Sequence, residues 1–354
     1  MVGCPWIAKW TKGDNITLTP NDKYWGAQPK LDKVVFKFQA DTAAEFQSFK
    51  SNQVQAIYPQ PQIDVIDAIG AGIDNANTIA NAKSAYIEAL WINSSHAPFT
   101  TKAVRQAFAY AINRDAIVNK LFGKIGVKTA SNSVNPYVIA DYSDQQAWAV
   151  YKLDLAKVKS LMEGDGWAKG SDGIWAKGGT RASFKLSTTQ GNKRRQLSAE
   201  ELQLEMKDAG FELKLNYRKS ADLFGKDLPG GAFDVALYAN GLSALTPGQC
   251  VSFCTKNIPA AANKNSGQNY MRFSDTAVDP LLAAVDESLD DQTRRDDAKK
   301  ADQLMAEDQA TLPLDPLPDI LIWNKKVIGP VTDNPILGMF WNISEWGCVG
   351  GSCS

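Results

Sequence analysis

Between Ile92 and Gly123 the order of residues leaves little choice of local structure. Pro98 stops a helix from running backwards, Thr100 or Thr101 can cap the free N–H groups, and Val104, Ala107, Phe108, Ala111 and Ile112 recur at helical spacing. The polar run Asn113-Arg114-Asp115 interrupts this stripe; Ile117, Val118 and Leu121 then continue an apolar face until Gly123 ends it. The pattern predicts a buried amphipathic helix entered from a strand that ends at Ile92.

With 354 residues the chain is long enough for two domains and a large core. Its 38 Lys and Arg against 39 Asp and Glu give a net charge of −1, with the two signs interleaved. Such a surface has no electrostatic footprint for nucleic acid or an anionic membrane and suits a neutral or weakly charged ligand. No apolar run is long enough to span a bilayer, and the first residues lack the basic and apolar regions of a signal peptide, so the chain reads as mature or cut. Cys4 follows no apolar leader and is not read as a lipid-anchor cysteine. The other four cysteines fall as Cys250-x3-Cys254 and Cys348-x4-Cys353, spacings that permit short-loop disulfides in an oxidising compartment and so favour export. A zinc site needs histidines or Cys-x-x-Cys pairs; the chain has one histidine, His96, and neither pair, so no metal and no cofactor is expected.

Taken in order, Trp6 to Leu18 alternates around a Gly13-Asp14 turn and predicts a hairpin. Val34 to Phe38 reads as a strand, Thr42 to Lys50 as a helix, Val54 to Ile57 as a strand and Ile63 to Ile69 as helical. Tyr58-Pro-Gln-Pro-Gln62 lies between a strand end and a helix, where ligands collect in open α/β sheets; a proline-rich connection without contacts fits the same residues equally. Ile125 to Val138 reads as a loop, Asp154 caps a helix that Gly164-Asp165-Gly166 ends, and Trp167 to Thr180 reads as a Gly-rich hairpin. Phe184 to Thr188, Phe211 to Tyr217 and Phe233 to Ala239 read as strands and Arg195 to Ala209 as a helix, which together suggest a second α/β domain. A helix pair, Asp279 to Leu289 and Asp296 to Glu307, closes it, and the Pro-rich stretch from Leu312 to Trp323 leads back to the first.

Catalysis leaves traces that are missing here: a nucleophile elbow, a phosphate-cradling Gly loop, a His-Glu metal motif or a flanked Cys/His pair. His96 reads as a structural or surface residue, and Asp290-Asp291 and Asp296-Asp297 as solvated helix-terminal charges. Binding has better support, because aromatic side chains and Asn, Gln and Ser groups that both donate and accept suit a neutral polar ligand.

Several stretches resemble one family in the same order. Asn-x-x-x-Ala-Pro-Phe followed by Val-Arg-Gln-Ala-Phe-x-x-Ala-Ile-Asn-Arg-Asp, from Asn93 to Asp115, is similar to a segment of the family 5 extracellular solute-binding proteins, the dipeptide and oligopeptide receptors of bacterial ABC importers. So is the earlier series Gly-x-Pro-Trp, Trp-x-x-Gly, Ile-x-Leu-x-x-Asn-x-x-Tyr-Trp and Pro-Lys-Leu-Asp-Lys-Val-Val-Phe. The resemblance covers nearly all of this chain but only roughly the later two-thirds of a typical member, which implies a truncated or abbreviated protein.

It implies an α/β, periplasmic-binding-protein-like bilobal fold of type II in the peptide-receptor cluster: two α/β lobes joined by a hinge, with the front of lobe one missing. Expected boundaries are 1–92 for the remaining lobe one, 93–324 for lobe two and 325–354 for the return to lobe one, with hinge crossings near Ile92 to Pro98 and Lys325 to Pro330. The strand and loop from Phe233 to Pro247 resembles the one that carries the family's main ligand anchor, commonly Trp-x-x-Asp-Tyr; here Asn240 holds the Trp position and Ser243 the Asp position. A neutral hydroxyl can hydrogen-bond but cannot form the ion pair with a peptide's α-amino group, so a blocked peptide, sugar or other polar solute gains ground.

Gln268-Asn269-Tyr270 resembles the family's next segment, and the predicted ligand residues are Tyr58, Gln60, Tyr238, Asn240, Ser243, Asn269 and Tyr270, with Cys250 and Cys254 able to pin the loop between them. Trp341, Asn342 and Trp346 read as packing residues. The expected protein is an exported, monomeric receptor, surface-anchored in its full-length form, that delivers an oligopeptide or other small polar solute to ABC permease subunits and catalyses nothing. An interaction module with an incomplete cleft is the next reading, and a secreted hydrolase the third.

Overall fold

A computed structural model describes residues 6–39, 41–241, 249–329 and 331–353. The chain divides into two compact units, residues 1–83 with 318–354 and residues 84–317. The larger unit is built on a five-stranded sheet in the order Glu212–Arg218, Ser183–Thr189, Val235–Gly241, Tyr86–Ile92, Thr311–Pro316. The first three strands run parallel, and Tyr86–Ile92 is antiparallel to both of its neighbours. Its sequence, Tyr-Ile-Glu-Ala-Leu-Trp-Ile, is almost continuously apolar because covering layers bury both faces. Pro313 and Pro316 are tolerated in Thr311–Pro316 because that strand lies at the sheet edge.

The expected helix between Val104 and Leu121 is two helices, Lys102–Tyr110 and Arg114–Phe122, and Asn113 restarts the second by accepting from the Ala116 N–H at 3.2 Å. Thr101 occupies the cap position of the first, but its hydroxyl donates to Asp165 instead of capping. Phe99, Phe108 and Phe184 meet edge to face beneath the helices. Arg114 is the polar pin of this layer. Almost wholly buried, its guanidinium donates to the carbonyls of Ser131, Pro313, Trp148 and Tyr151, fastening the 125–138 segment and the edge strand to the helix. The predicted helix pair is Val278–Glu287 and Asp291–Asp308.

In the smaller unit Asp319–Asn324 is the middle strand of a three-stranded sheet, between Ala56–Ile57 and Ala76–Asn81. The predicted hairpin is present as Trp6–Thr11 paired with Asn15–Thr19, to which Val34–Lys37 is added. Leu321, Val327, Met339 and Trp346 form a core, and Trp346 donates to the Asn342 side chain.

The unit boundaries correct both expected crossings. Residues 93–98 are tied into the larger unit: the Asn93 N–H donates to the Asp234 carbonyl, its amide to the Gly231 and Phe233 carbonyls, the Ser94 N–H to Met271, and His96 pairs with Asp234. The chain therefore changes units at 83/84 and not near Pro98. The return falls at 317/318, because Thr311–Pro316 pairs with Tyr86–Ile92 while Asp319–Asn324 pairs with strands of the smaller unit; Val327–Ile328, in the stretch expected to cross, pairs with Gly347–Cys348 inside that unit.

Replacing Arg114 by Met should remove a charged donor from four buried carbonyls and destabilise the larger unit by about 3 kcal/mol. Urea denaturation followed by tryptophan fluorescence measures it, and a loss within experimental error of zero would mean that the carbonyls find other donors.

Candidate functional site

In the larger unit, the carboxyl ends of Ser183–Thr189, Glu212–Arg218, Val235–Gly241 and Thr311–Pro316 lie at one end of the sheet, together with the amino end of Tyr86–Ile92. The chain enters the unit at Ser84 and leaves it at Leu317, both at this end. Open α/β sheets collect ligands outside the carboxyl ends of their strands. The N-terminus of Lys193–Ala209, capped by Asn192, also arrives here from Thr189.

Two layers of chemistry lie along this sheet, one running from its middle to the opposite end and one nearer this end. One is aromatic. Tyr238 and Trp91 occupy the same sheet face as diagonal cross-strand neighbours and stack at 4.9 Å with a 14° interplanar angle, while the Trp91 ring N–H donates to the Tyr238 carbonyl. Phe224 meets Tyr238 edge-on at 5.4 Å, and Phe253 leans on Trp91 at 6.3 Å. Burial drives the Tyr238 phenol pKa far upward, with the neighbouring Tyr270 adding to it, and raises that of Tyr270, so both rings remain neutral hydroxyl-bearing surfaces.

The other layer is charged and hidden. Glu88 and Asp315 stand opposite each other across the pair of strands that lead to the two unit crossings, and both are completely buried. Arg194 bonds Glu88 and stands 3.8 Å from Asp315, while Arg195 donates from Nε to Glu88 at 2.6 Å and from a terminal nitrogen to the Thr189 hydroxyl. Burial pushes the Glu88 pKa up, but the charges and hydrogen bonds of the two arginines outweigh it and hold the carboxyl below its usual range. Asp315 has no hydrogen bond to either oxygen; burial, helped by the Glu88 charge and opposed by Arg194, pushes it up to about 7. A lone Glu in a strand of apolar residues was the sequence signal for this cluster, because a charge in a buried run needs a partner.

The predicted ligand residues separate into distinct places. Tyr238 and Asn240 share a face of Val235–Gly241, with Tyr238 only 8% exposed and Asn240 half-buried. Tyr270 is half-buried beside Tyr238. Ser243 lies outside the described residues.

Asn269 is fully buried: its amide donates to the carbonyls of Phe253, Cys254 and Phe273 and accepts from the Phe273 N–H. It organises the segment that presents Tyr270 and offers no group to a solute. Cys250 and Cys254 are bonded within that same segment, as are Cys348 and Cys353 in the smaller unit. Tyr58 and Gln60 belong to the smaller unit, where Gln60 is exposed and the Tyr58 hydroxyl donates to Asp319 at 2.6 Å. Among the described residues no group of three or more His, Cys, Asp and Glu could hold a metal ion, and no helix is long and apolar enough to cross a membrane.

A model of the bacterial extracellular solute-binding proteins, family 5, middle, matches residues 6–257. The chain belongs to this family. It is 27% identical over 303 residues to the oligopeptide-binding protein AppA of Bacillus subtilis, a match covering 85% of this chain and 53% of the relative. To the dipeptide-binding protein of Escherichia coli it is 25% identical over 327 residues, covering 92% of this chain and 56% of that one. The structure of Bacillus subtilis AppA in complex with a nonapeptide matches with a TM-score of 0.78 at 22% identity, over 98% of this chain and 66% of the other. The family-5 fold is thus present, in a chain spanning about half the length of the curated relatives it matches.

Asp315 provides a test of the buried cluster. Its folded-state pKa of about 7 lies above the ordinary 3.8, so the protonated group's contribution to stability is present at low pH and is lost as pH rises through about 7. In thermal melts from pH 4 to 8, Asp315→Asn should therefore gain on the wild type as pH rises and then level off; a pH-independent difference would mean that Asp315 is ionised throughout.

Proposed function

We propose that this chain is the solute-capturing part of a bacterial ABC importer's binding protein, taking an oligopeptide or similar polar solute by hinge closure and handing it to the permease subunits. It acts as an exported monomer held at the outer face of the membrane and performs no reaction on what it binds. The observation that carries this reading is the end of the larger sheet. Arg194 and Arg195 are spent on Glu88, Asp315 and Thr189 and Arg218 on Asp227, so the groups left for a ligand are aromatic and amide: Phe224, Tyr270 and Asn240, with the largely buried Tyr238 packed against Phe224. Such a surface gives stacking area and two-way hydrogen bonding without demanding a particular charge, which suits peptide backbones of varied sequence. The relatives' names, oligopeptide-binding and dipeptide-binding protein, support the same solute class. The two single-strand crossings, at 83/84 and 317/318, are the positions where a few residues could absorb the φ/ψ change of closure.

Native mass spectrometry of the purified protein, followed by release and identification of whatever has co-purified, tests the reading. A heterogeneous set of peptides is expected; a single non-peptide mass would reassign the solute, and turnover of the ligand would replace the receptor by an enzyme. With the captured ligand, Tyr270→Ala should weaken binding on the order of tenfold in calorimetry while leaving the melting temperature near that of the wild type. Unchanged affinity would remove Tyr270 from the site.

A further inference from the structure

A chain of buried carboxyl and amide groups runs from the helix Asp291–Asp308 to the segment that presents Tyr270. Asp302 of that helix is 1% exposed. Its two oxygens accept from the Asn135 side-chain amide at 2.9 and 3.0 Å, and Oδ2 also accepts from the Asp144 N–H at 2.8 Å. The Asn135 Oδ1 in turn accepts from the Gln249 side-chain amide. Asn135 and Gln249 are each 2% exposed, and the Gln249 Oε1 is enclosed without a donor. Gln249 begins the disulfide turn, where its carbonyl accepts from the Ser252 and Phe253 N–H groups at 2.9 Å. Asn257 donates to the Cys250 carbonyl, and the Asn269 N–H donates back to the Asn257 carbonyl, one residue before Tyr270.

This relay has no counter-ion. Among the described residues no Lys or Arg forms an ion pair with Asp302. Lys299 and Lys300 of its own helix are exposed. On the elements packed around that helix the charged groups are engaged elsewhere: Lys102 and Arg105 with Glu307 and Asp308, Asp141 and Tyr142 with Arg295 and Asp291, and Asp315 with Arg194. Tyr151 donates to the Ala306 carbonyl; on Val278–Glu287, Asp279 accepts from the Thr255 N–H, and Asp286 lies in the fields of Lys256, Arg294 and Glu287. The charge that does reach Asp302 is that of Asp144. Burial, helped by that charge and opposed by the Asp144 N–H and the Asn135 amide, pushes Asp302 up to about 8. With Asp302 ionised, both amides donate towards it. With Asp302 protonated, turning both amides over reverses each donor and acceptor on the same heavy-atom positions, so that the carboxyl donates to Asn135 and Asn135 to Gln249. The second arrangement is neutral, whereas the first encloses a carboxylate without a cation. Opening the relay to water relieves that charge, and the segment released is 249–257.

We propose that Asp302 is a positioning residue for the ligand surface: through Asn135 and Gln249 it holds the disulfide turn, and with it Phe253 and Tyr270, firmly when protonated and loosely when ionised. What Tyr270 touches rests on the receptor reading, which the latch deepens by naming the residue that regulates this surface. Because the folded-state pKa lies above the ordinary 3.8, the hold is fully present at low pH and is lost as pH rises through about 8.

Hydrogen exchange read by mass spectrometry at pH 6.5 and pH 9.0, with rates corrected for the pH dependence of the exchange chemistry, tests it. Between those values the protection of residues 249–273 should fall about tenfold or more in the wild type and by no more than about twofold in Asp302→Asn. That variant keeps the side-chain size and leaves Asp315 in place, so the titration of Asp315 is common to both proteins. Gln249→Ala, which cuts the relay but leaves Asp302, should lower the protection of 249–257 already at pH 6.5 and abolish the further fall, which keeps the test open should Asp302→Asn fold poorly. A fall of the same size in the wild type and the variants, or no fall in the wild type, would overturn the latch. No ligand is used, so that result would leave the receptor reading standing, and loss of the receptor reading would leave the exchange result unchanged.

Discussion

Glu88 is the point on which the larger unit turns. It is a charge inside a strand that is otherwise a run of apolar residues, in a sheet covered on both faces, and it can remain ionised there because Arg194 and Arg195 meet it. Removing a partner from a buried pair of this kind costs about 3–5 kcal/mol, far more than the pair contributes against an apolar replacement. Its value is therefore in position: it fixes the first turn of Lys193–Ala209 against the strand entering the unit, and Asp315 does the same for the strand leaving it. The two strands that become the crossings are thus locked to each other and to one helix.

This locking shapes what a ligand meets. Helix N-termini and arginines at strand ends commonly serve anions. Here the carboxylates consume the guanidinium groups from within, and the groups left open are rings and an amide. The aromatic stack in turn depends on the segment that begins at residue 249, because Phe253 reaches Trp91 and the Cys250–Cys254 bond lies beside it. Asn269 ties that segment together with four hydrogen bonds, so a residue that reads from sequence as a ligand contact is instead the reason a neighbouring tyrosine is held in place.

Local structure was largely legible from the sequence because it is governed by period and caps. The strands at 183–189, 212–218 and 235–241 alternate or run apolar, and Asp154 accepts from a first-turn N–H as expected, whereas Asn113, read only as an interruption, caps a second helix and Thr101 does not cap the first. The unit crossings were less legible. Proline at 98 resembles a joint, yet residues 93–98 are held by hydrogen bonds to 231–234 and 271, contacts between segments far apart in sequence that no local pattern encodes. Burial was the other blind spot: whether an Asn between a Gln and a Tyr lines a cleft or caps carbonyls depends on which carbonyls arrive beside it.

Both units bury acids that no arginine fully neutralises, and these acids set how the fold responds to pH. In the larger unit Glu88 is met by two arginines, whereas Asp315 accepts no hydrogen bond, and Asp302, fully buried, has an amide and a backbone N–H but no positive charge. In the smaller unit Asp319 and Asp333 have a phenol and an amide, which supply hydrogen bonds but no positive charge. Burial raises the proton affinity of Asp302, Asp315 and Asp319 and so takes stability from the native state as pH rises towards neutral.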